Sequence, residues 1–243
     1  MRLIAALLAA LCALCSSPGA AENKATALRG WEKRNGYQYI TLGVYPQEAD
    51  ETEAPVLWRV LEVWDGEALL LMEYILDVYP VMFPGEGTKP RHETHSFEES
   101  DLYVWLNGEM ADRMLTPAEQ AMLQSDRGRL FLLTKKEYRS PDYGFPTAEY
   151  GEQKARQCKG TPYALSRGLY RDPTFGTSPY WLNYTKAQPD TRLQIVGYNG
   201  HMSYAGYTRM DVGVRPAVRV ALDRCFITAG EGSREAPYIL TPR

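Results

Sequence analysis

Apolar and polar positions begin to alternate clearly at Tyr39, where Tyr39-Ile40-Thr41-Leu42 reads as a short β-rich run closed by Gly43. Val56, Trp58 and Val60, followed by Leu61 to Val63, form the pattern of a half-buried strand. Asp65-Gly66 is a tight-turn signal and Ala68 to Met72 the returning strand, so a β-hairpin is predicted here. The period then changes. Ser100-Asp101 opens a helix whose apolar residues Leu102, Trp105 and Leu106 recur at helical spacing, with Gly108 as its stop. Thr116-Pro117-Ala118-Glu119 combines a capping box with proline at the first helical position and predicts a short helix through Leu123.

Leu130 to Leu133 reads as a buried strand, running into a second capping box at Thr134-Lys135-Lys136-Glu137. Residues 140 to 190 are rich in Pro, Gly, Tyr and Thr and predict loops. Gly213 to Val220 reads as a late strand whose Pro216 belongs at an edge or a strand start. The expected fold is a single α+β domain over residues 39–243, with a β-hairpin, short helices and long loops. Trp58 and Trp105 fall on apolar-periodic positions and are assigned to its core.

The N-terminus follows different rules. Arg2 is the one charge before an apolar run from Leu3 to Leu14, and Ser16 to Ala21 are small residues or proline. That order is a cleavable signal peptide over residues 1–21, with cleavage after Ala21, and it predicts a secreted or cell-envelope protein. Cys12 and Cys15 raise a lipoprotein alternative, but both follow leucine where that signal wants a small residue. Residues 22–38 are polar, without a strong period, and read as a loose lead-in. The run in the leader is too short to span a bilayer, which needs roughly 20 apolar residues, and no second long apolar segment follows. A formal charge of −3 with no block of Lys and Arg argues against a nucleic-acid partner. Cys158 and Cys225 remain after cleavage, and either a disulfide or two buried thiols fits an exported chain.

Several segments in order resemble a bacterial family catalogued as domain of unknown function 6273. They are Leu42-Gly43-Val44-Tyr45-Pro46-Gln47, Trp58-Arg59-Val60-Leu61, Ser100-Asp101-Leu102 with Trp105-Leu106-Asn107, and Phe131-Leu132-Leu133-Thr134. Cys158 with Thr161-Pro162-Tyr163-Ala164, Tyr180-Trp181-Leu182, and Gly213-Val214-Arg215-Pro216-Ala217 complete the set. The resemblance covers roughly residues 39 to 222 and brings no established activity with it. Its closing strand and Trp-Leu segment are similar to those of C-type-lectin-like folds, which include glycan binders, peptide binders and formylglycine-generating enzymes. The family usually continues Arg-Ser-Pro-Gly after Trp-Leu, whereas this chain has Asn183-Tyr184-Thr185-Lys186. It also lacks the cysteine pair that the formylglycine chemistry needs ahead of the closing strand.

Four groups of residues are candidates for chemistry. His92-Glu93-Thr94-His95 has histidines three apart, not the four of the zincin helix, and follows Gly85, Gly87 and Pro90; a solvated loop is the better account and no metal is expected. Cys158, His201 and Asp211 are a nucleophile trio on paper, without an elbow or Gly-rich turn to support it. The third group is paired carboxylates, which glycosidase chemistry needs across one cleft: Glu98, Glu99 and Asp101 sit at a helix start, where acids offset the dipole. The other acids of this third group, Glu48, Asp50, Glu51 and Glu53, lie in a polar turn that faces water. Arg215 lies among apolar residues and calls for a buried ion pair, with Asp101 or Asp211 as the candidates.

The fourth group is the aromatic run Tyr163, Tyr170, Phe175, Tyr180, Trp181, Tyr184, Tyr198, Tyr204 and Tyr207, interleaved with amides and charges. Rings beside hydrogen-bonding groups suit sugars or peptides. The expectation is a non-catalytic binding domain for a glycan or protein ligand at the cell surface, needing no cofactor. Trp181 and Tyr198 would stack on that ligand, with Asn183, His201 and Arg209 as polar contacts. An extracytoplasmic hydrolase or modifying enzyme, and a structural envelope protein, are the alternatives.

Overall fold

β1 (Tyr39–Pro46) continues past the expected stop because Gly43, at φ +72°, is a bulge in the strand. A Cβ there would lie 2.8 Å from the Met114 carbonyl, so this is a place for glycine on two counts. β2 (Glu53–Trp64) and β3 (Glu67–Met72) form the predicted hairpin, and Asp65 and Gly66 both take positive φ in its turn. β3 explains its own unbroken Leu69-Leu70-Leu71 run. Leu70 and Met72 enter one apolar cluster and Leu69 and Leu71 another, so the strand is covered on both faces.

The computed structural model describes residues 28–81, 96–184, 192–206 and 209–243. The leader at 1–21, the His92–His95 stretch and Tyr207 lie outside them. A second sheet is built from β4 (Asp77–Val78), β5 (Tyr180–Trp181), β6 (Arg192–Val196), β7 (Met202–Gly206) and β8 (Gly213–Val214), in the order β4-β8-β5-β6-β7. β9 (Ala217–Ala221), β10 (Cys225–Ala229) and β11 (Tyr238–Pro242) return to the first sheet, ordered β10-β11-β1-β2-β3-β9. The chain is an α+β domain of two mixed sheets. The single late strand expected over 213–220 is two strands in different sheets, and Arg215-Pro216 is the corner between them. Pro216 precedes β9, which is an edge strand, as a residue without an N–H should.

Ser100 caps α1 (Asp101–Trp105), its Oγ accepting from the Tyr103 N–H at 3.2 Å. The helix does not stop at Gly108 but passes through a π turn, Leu106–Met110, into α2 (Ala111–Met114). Asn107 on that turn donates to the Tyr103 and Leu130 carbonyls at 3.1 Å and accepts from the Leu130 N–H at 3.3 Å. This tie holds residues 130–133 in place as a buried extended segment. It makes only an isolated bridge, Phe131 to Ala217, rather than the predicted strand. Thr116 and Glu119 form the expected capping box of α3 (Pro117–Gln120), which ends before Leu123 because Leu123 bridges to Val220. Glu137 caps Thr134 as predicted, over a single 3-10 turn. A further short helix, α4 (Pro162–Ser166), starts at the Thr161 cap.

Residues 28–38 are not a loose lead-in. Leu28 is in the core, the Trp31 N–H donates to the Leu61 carbonyl, and the Gln38 carbonyl accepts from Val60. Cys158 and Cys225 are free and buried in different apolar clusters, so the disulfide alternative is not the one the fold adopts. Burial pushes both thiols up, Cys225 to about 11. Among the described residues no helix is long and apolar enough to cross a membrane.

Candidate ligand-binding face

The predicted aromatic run divides by burial. Tyr163, Tyr180, Trp181 and Tyr184 are core residues. Trp181, expected to stack on a ligand, is 1% exposed, and its indole N–H donates to the Tyr79 carbonyl at 3.0 Å. Asn183 is also buried, bridged to Thr134 with its N–H on the Leu133 carbonyl. Neither can meet a ligand at the surface. They fall inward because β5 is sandwiched between β8 and β6 and both its residues are covered.

Tyr198 and His201 behave otherwise. Both are half-buried, and the Tyr198 ring is the centre of a cluster with Tyr170 at 6.1 Å, Phe175 at 5.7 Å and His201 at 6.4 Å between centroids. Tyr170 is 40% exposed. Tyr170 and Phe175 belong to the aromatic run but are not among its expected ligand contacts, yet they complete the face.

The face stands on two fixed loops. Asp172 accepts from the Thr174 and Phe175 N–H groups at 2.9 Å, an Asx turn that orients Phe175. The Thr177 hydroxyl donates to the Tyr198 carbonyl, and the Tyr170 N–H to the Asp211 carbonyl. On the other side, the Asn199 side chain accepts from the His201 N–H at 3.2 Å and contacts its Nδ1. The His201 ring lies over Gly197, where a Cβ would come within 2.4 Å of it. Burial and the nearby Arg156 push His201 below the usual imidazole range, so the ring is neutral near pH 7.

Arg156 is the hidden support. Fully buried, it donates to the carbonyls of Gly200 (2.7 Å), Tyr138 (3.2 Å), Pro146 (2.8 Å) and Ala148 (2.6 Å), tying the 197–201 turn to the 138–148 loop. No sequence signal marks it, because its partners are backbone carbonyls and not carboxylates. Arg209 sits at the rim, exposed and paired with Asp211, whose backbone carries Tyr170. The structure therefore brings Tyr198, His201 and Arg209 to one side and leaves Trp181 and Asn183 behind it.

Among the described residues the catalytic trio expected from the sequence does not assemble. Cys158 is buried with its thiol on the Glu73 carbonyl, His201 is held by Asn199, and Asp211 is held by Arg209. Glu98, Glu99 and Asp101 gather near buried Tyr184, whose phenol is raised first by burial and then by their charge. Glu48, Asp50, Glu51 and Glu53 are exposed, and Arg113 pairs with Glu51 and Glu53. Three carboxylates line an open cleft of about 550 Å³, Glu62, Glu137 and Asp142. Two of them are held by arginines, Glu62 by Arg219 at 3.2 Å and Glu137 by Arg127 at 2.7 Å, Glu137 also serves the Thr134 cap, and Asp142 is exposed at the surface. Asp77 is raised by burial, against the hydrogen bond from Tyr45 at 2.8 Å, and its neighbours are Tyr45 and Arg167 rather than a second acid. Among the described residues no group of His, Cys, Asp and Glu could hold a metal ion.

No family model, no curated protein and no solved structure matches this chain.

Proposed function

We propose that this chain is an exported, non-catalytic binding domain that presents the Tyr170, Phe175, Tyr198 and His201 face to a glycan at the cell surface. One observation carries the reading: half-exposed rings are held on loops fixed from both sides. A platform ordered before binding loses little conformational entropy when a ligand docks. The C–H faces of a sugar pack on such rings, while its hydroxyls need donors and acceptors at the rim, which His201, Arg209 and Asp211 supply. Export rests on the leader pattern of residues 1–21, and kinship with the uncharacterised bacterial family on the segments quoted above.

The test is a glycan array probed with the mature chain and with Tyr198→Ala. Binding that falls at least tenfold in the variant, with its unfolding midpoint unchanged, supports the reading. An array without a bound glycan sinks the ligand class and turns attention to a protein partner.

A further inference from the structure

Arg215 is 0% exposed, and among the described residues no carboxylate lies within salt-bridge distance of it. The pairing expected with Asp101 or Asp211 is not made: Arg215 Nε donates to the Met72 carbonyl at 2.8 Å and Nη1 to the Tyr180 hydroxyl at 3.3 Å. Nη2 has no partner among the described residues. The carboxylate whose field reaches it, Glu73, is already held by Arg59 at 2.6 Å and Arg234 at 2.9 Å. Three guanidinium groups thus share one carboxylate.

The other titratable neighbours supply no negative charge. Burial keeps the Cys158 thiol and the Tyr138 and Tyr180 phenols protonated at neutral pH. Two more buried groups lie in the same region without a well-formed hydrogen bond among the described residues. They are Tyr138 Oη, which faces the Tyr180 hydroxyl without a well-formed hydrogen bond, and Ser178 Oγ, whose backbone N–H donates to the Cys158 carbonyl. Both can donate. Arg156 shows the contrast, being equally buried but met by four carbonyl acceptors. A buried, unpaired ion is costly, and a neutral acceptor does not cancel its charge.

We propose that the interior at Arg215 binds a monoatomic anion, chloride in ordinary media, with Arg215 Nη2 and the Tyr138 hydroxyl as donors. The anion acts as the missing counter-charge at the corner where the chain passes from β8 to β9. This site shares no residue with the ligand-binding face.

The experiment is equilibrium unfolding of the full chain in sodium chloride against sodium gluconate at equal ionic strength. Above the dissociation constant, each tenfold rise in chloride lowers the unfolding equilibrium constant about tenfold. Arg215→Met abolishes the dependence; Tyr138→Phe keeps the guanidinium and shifts the dependence to higher chloride, and it carries the comparison if Arg215→Met does not fold. Bromide-soaked crystals show anomalous scattering beside Nη2. Wild-type unfolding that is indifferent to the anion, a chloride dependence that survives both substitutions, or water alone beside Nη2 overturns the proposal.

Discussion

Arg156→Met tests whether one buried guanidinium supports the binding face. The substitution keeps the bulk of the side chain and removes all four donated hydrogen bonds. The Gly200 and Tyr138 carbonyls are bonded in the interior, while the bonds to Pro146 and Ala148 are partly accessible, where water can replace the donor. Each buried acceptor left unsatisfied costs about 1–3 kcal/mol. The loss is offset in part because the variant no longer buries a charge. A net destabilisation of roughly 3 kcal/mol is expected. Urea unfolding measures it as a lower midpoint at unchanged slope. Hydrogen exchange should show faster exchange at residues 197–201 than in the hairpin of β2 and β3. Arg156→Lys should fall between, since one ammonium has three donors and no fork. A loss below about 0.5 kcal/mol in Arg156→Met, the size of an ordinary surface change, would refute the reasoning.

Four other outcomes follow from the same geometry. Asp77 is raised above its ordinary value, so its contribution is full below the unfolded carboxylate pKa and is lost as pH rises through the folded value; Asp77→Asn should flatten that fall in urea-derived stability above about pH 4. Gly197→Ala places a methyl group against the His201 ring and should cut glycan binding more than it cuts stability, read by array and melt together. Trp181→Ala should cost roughly 3–5 kcal/mol as a cavity in the core, so any binding it loses should track unfolding measured by circular dichroism. A thiol reagent should leave Cys158 and Cys225 unmodified in the native protein and react with both in denaturant without a reductant.

The parts of the fold legible in sequence are those set by near neighbours. The hairpin needs a two-residue turn and alternation, and Asp65-Gly66 with its flanks supplies both. The caps at Ser100, Thr116 and Thr134 are decided within three residues. The second sheet was not legible because β4, β5 and β8 are two residues long and owe their pairing to distant segments. Nothing local in Val214-Arg215-Pro216-Ala217 says that the chain changes sheet there. Trp181 misled for a similar reason: the amides and charges interleaved along the aromatic run suggest exposure, while its partner is a carbonyl 102 residues away. Tyr198 and His201 were legible through the Asn199-Gly200 turn, which does hold them near the surface. Tyr170 and Phe175 join them only through the Asp172 turn and the contact with residue 211.

The most direct test of the binding face is NMR mapping of the full chain titrated with an oligosaccharide selected from the array. The account predicts shifts concentrated at residues 170–177, 197–201 and 209–211, with the Trp181 indole N–H unmoved. Shifts centred on the Glu62–Glu137 cleft, or a Trp181 indole that responds first, would contradict it.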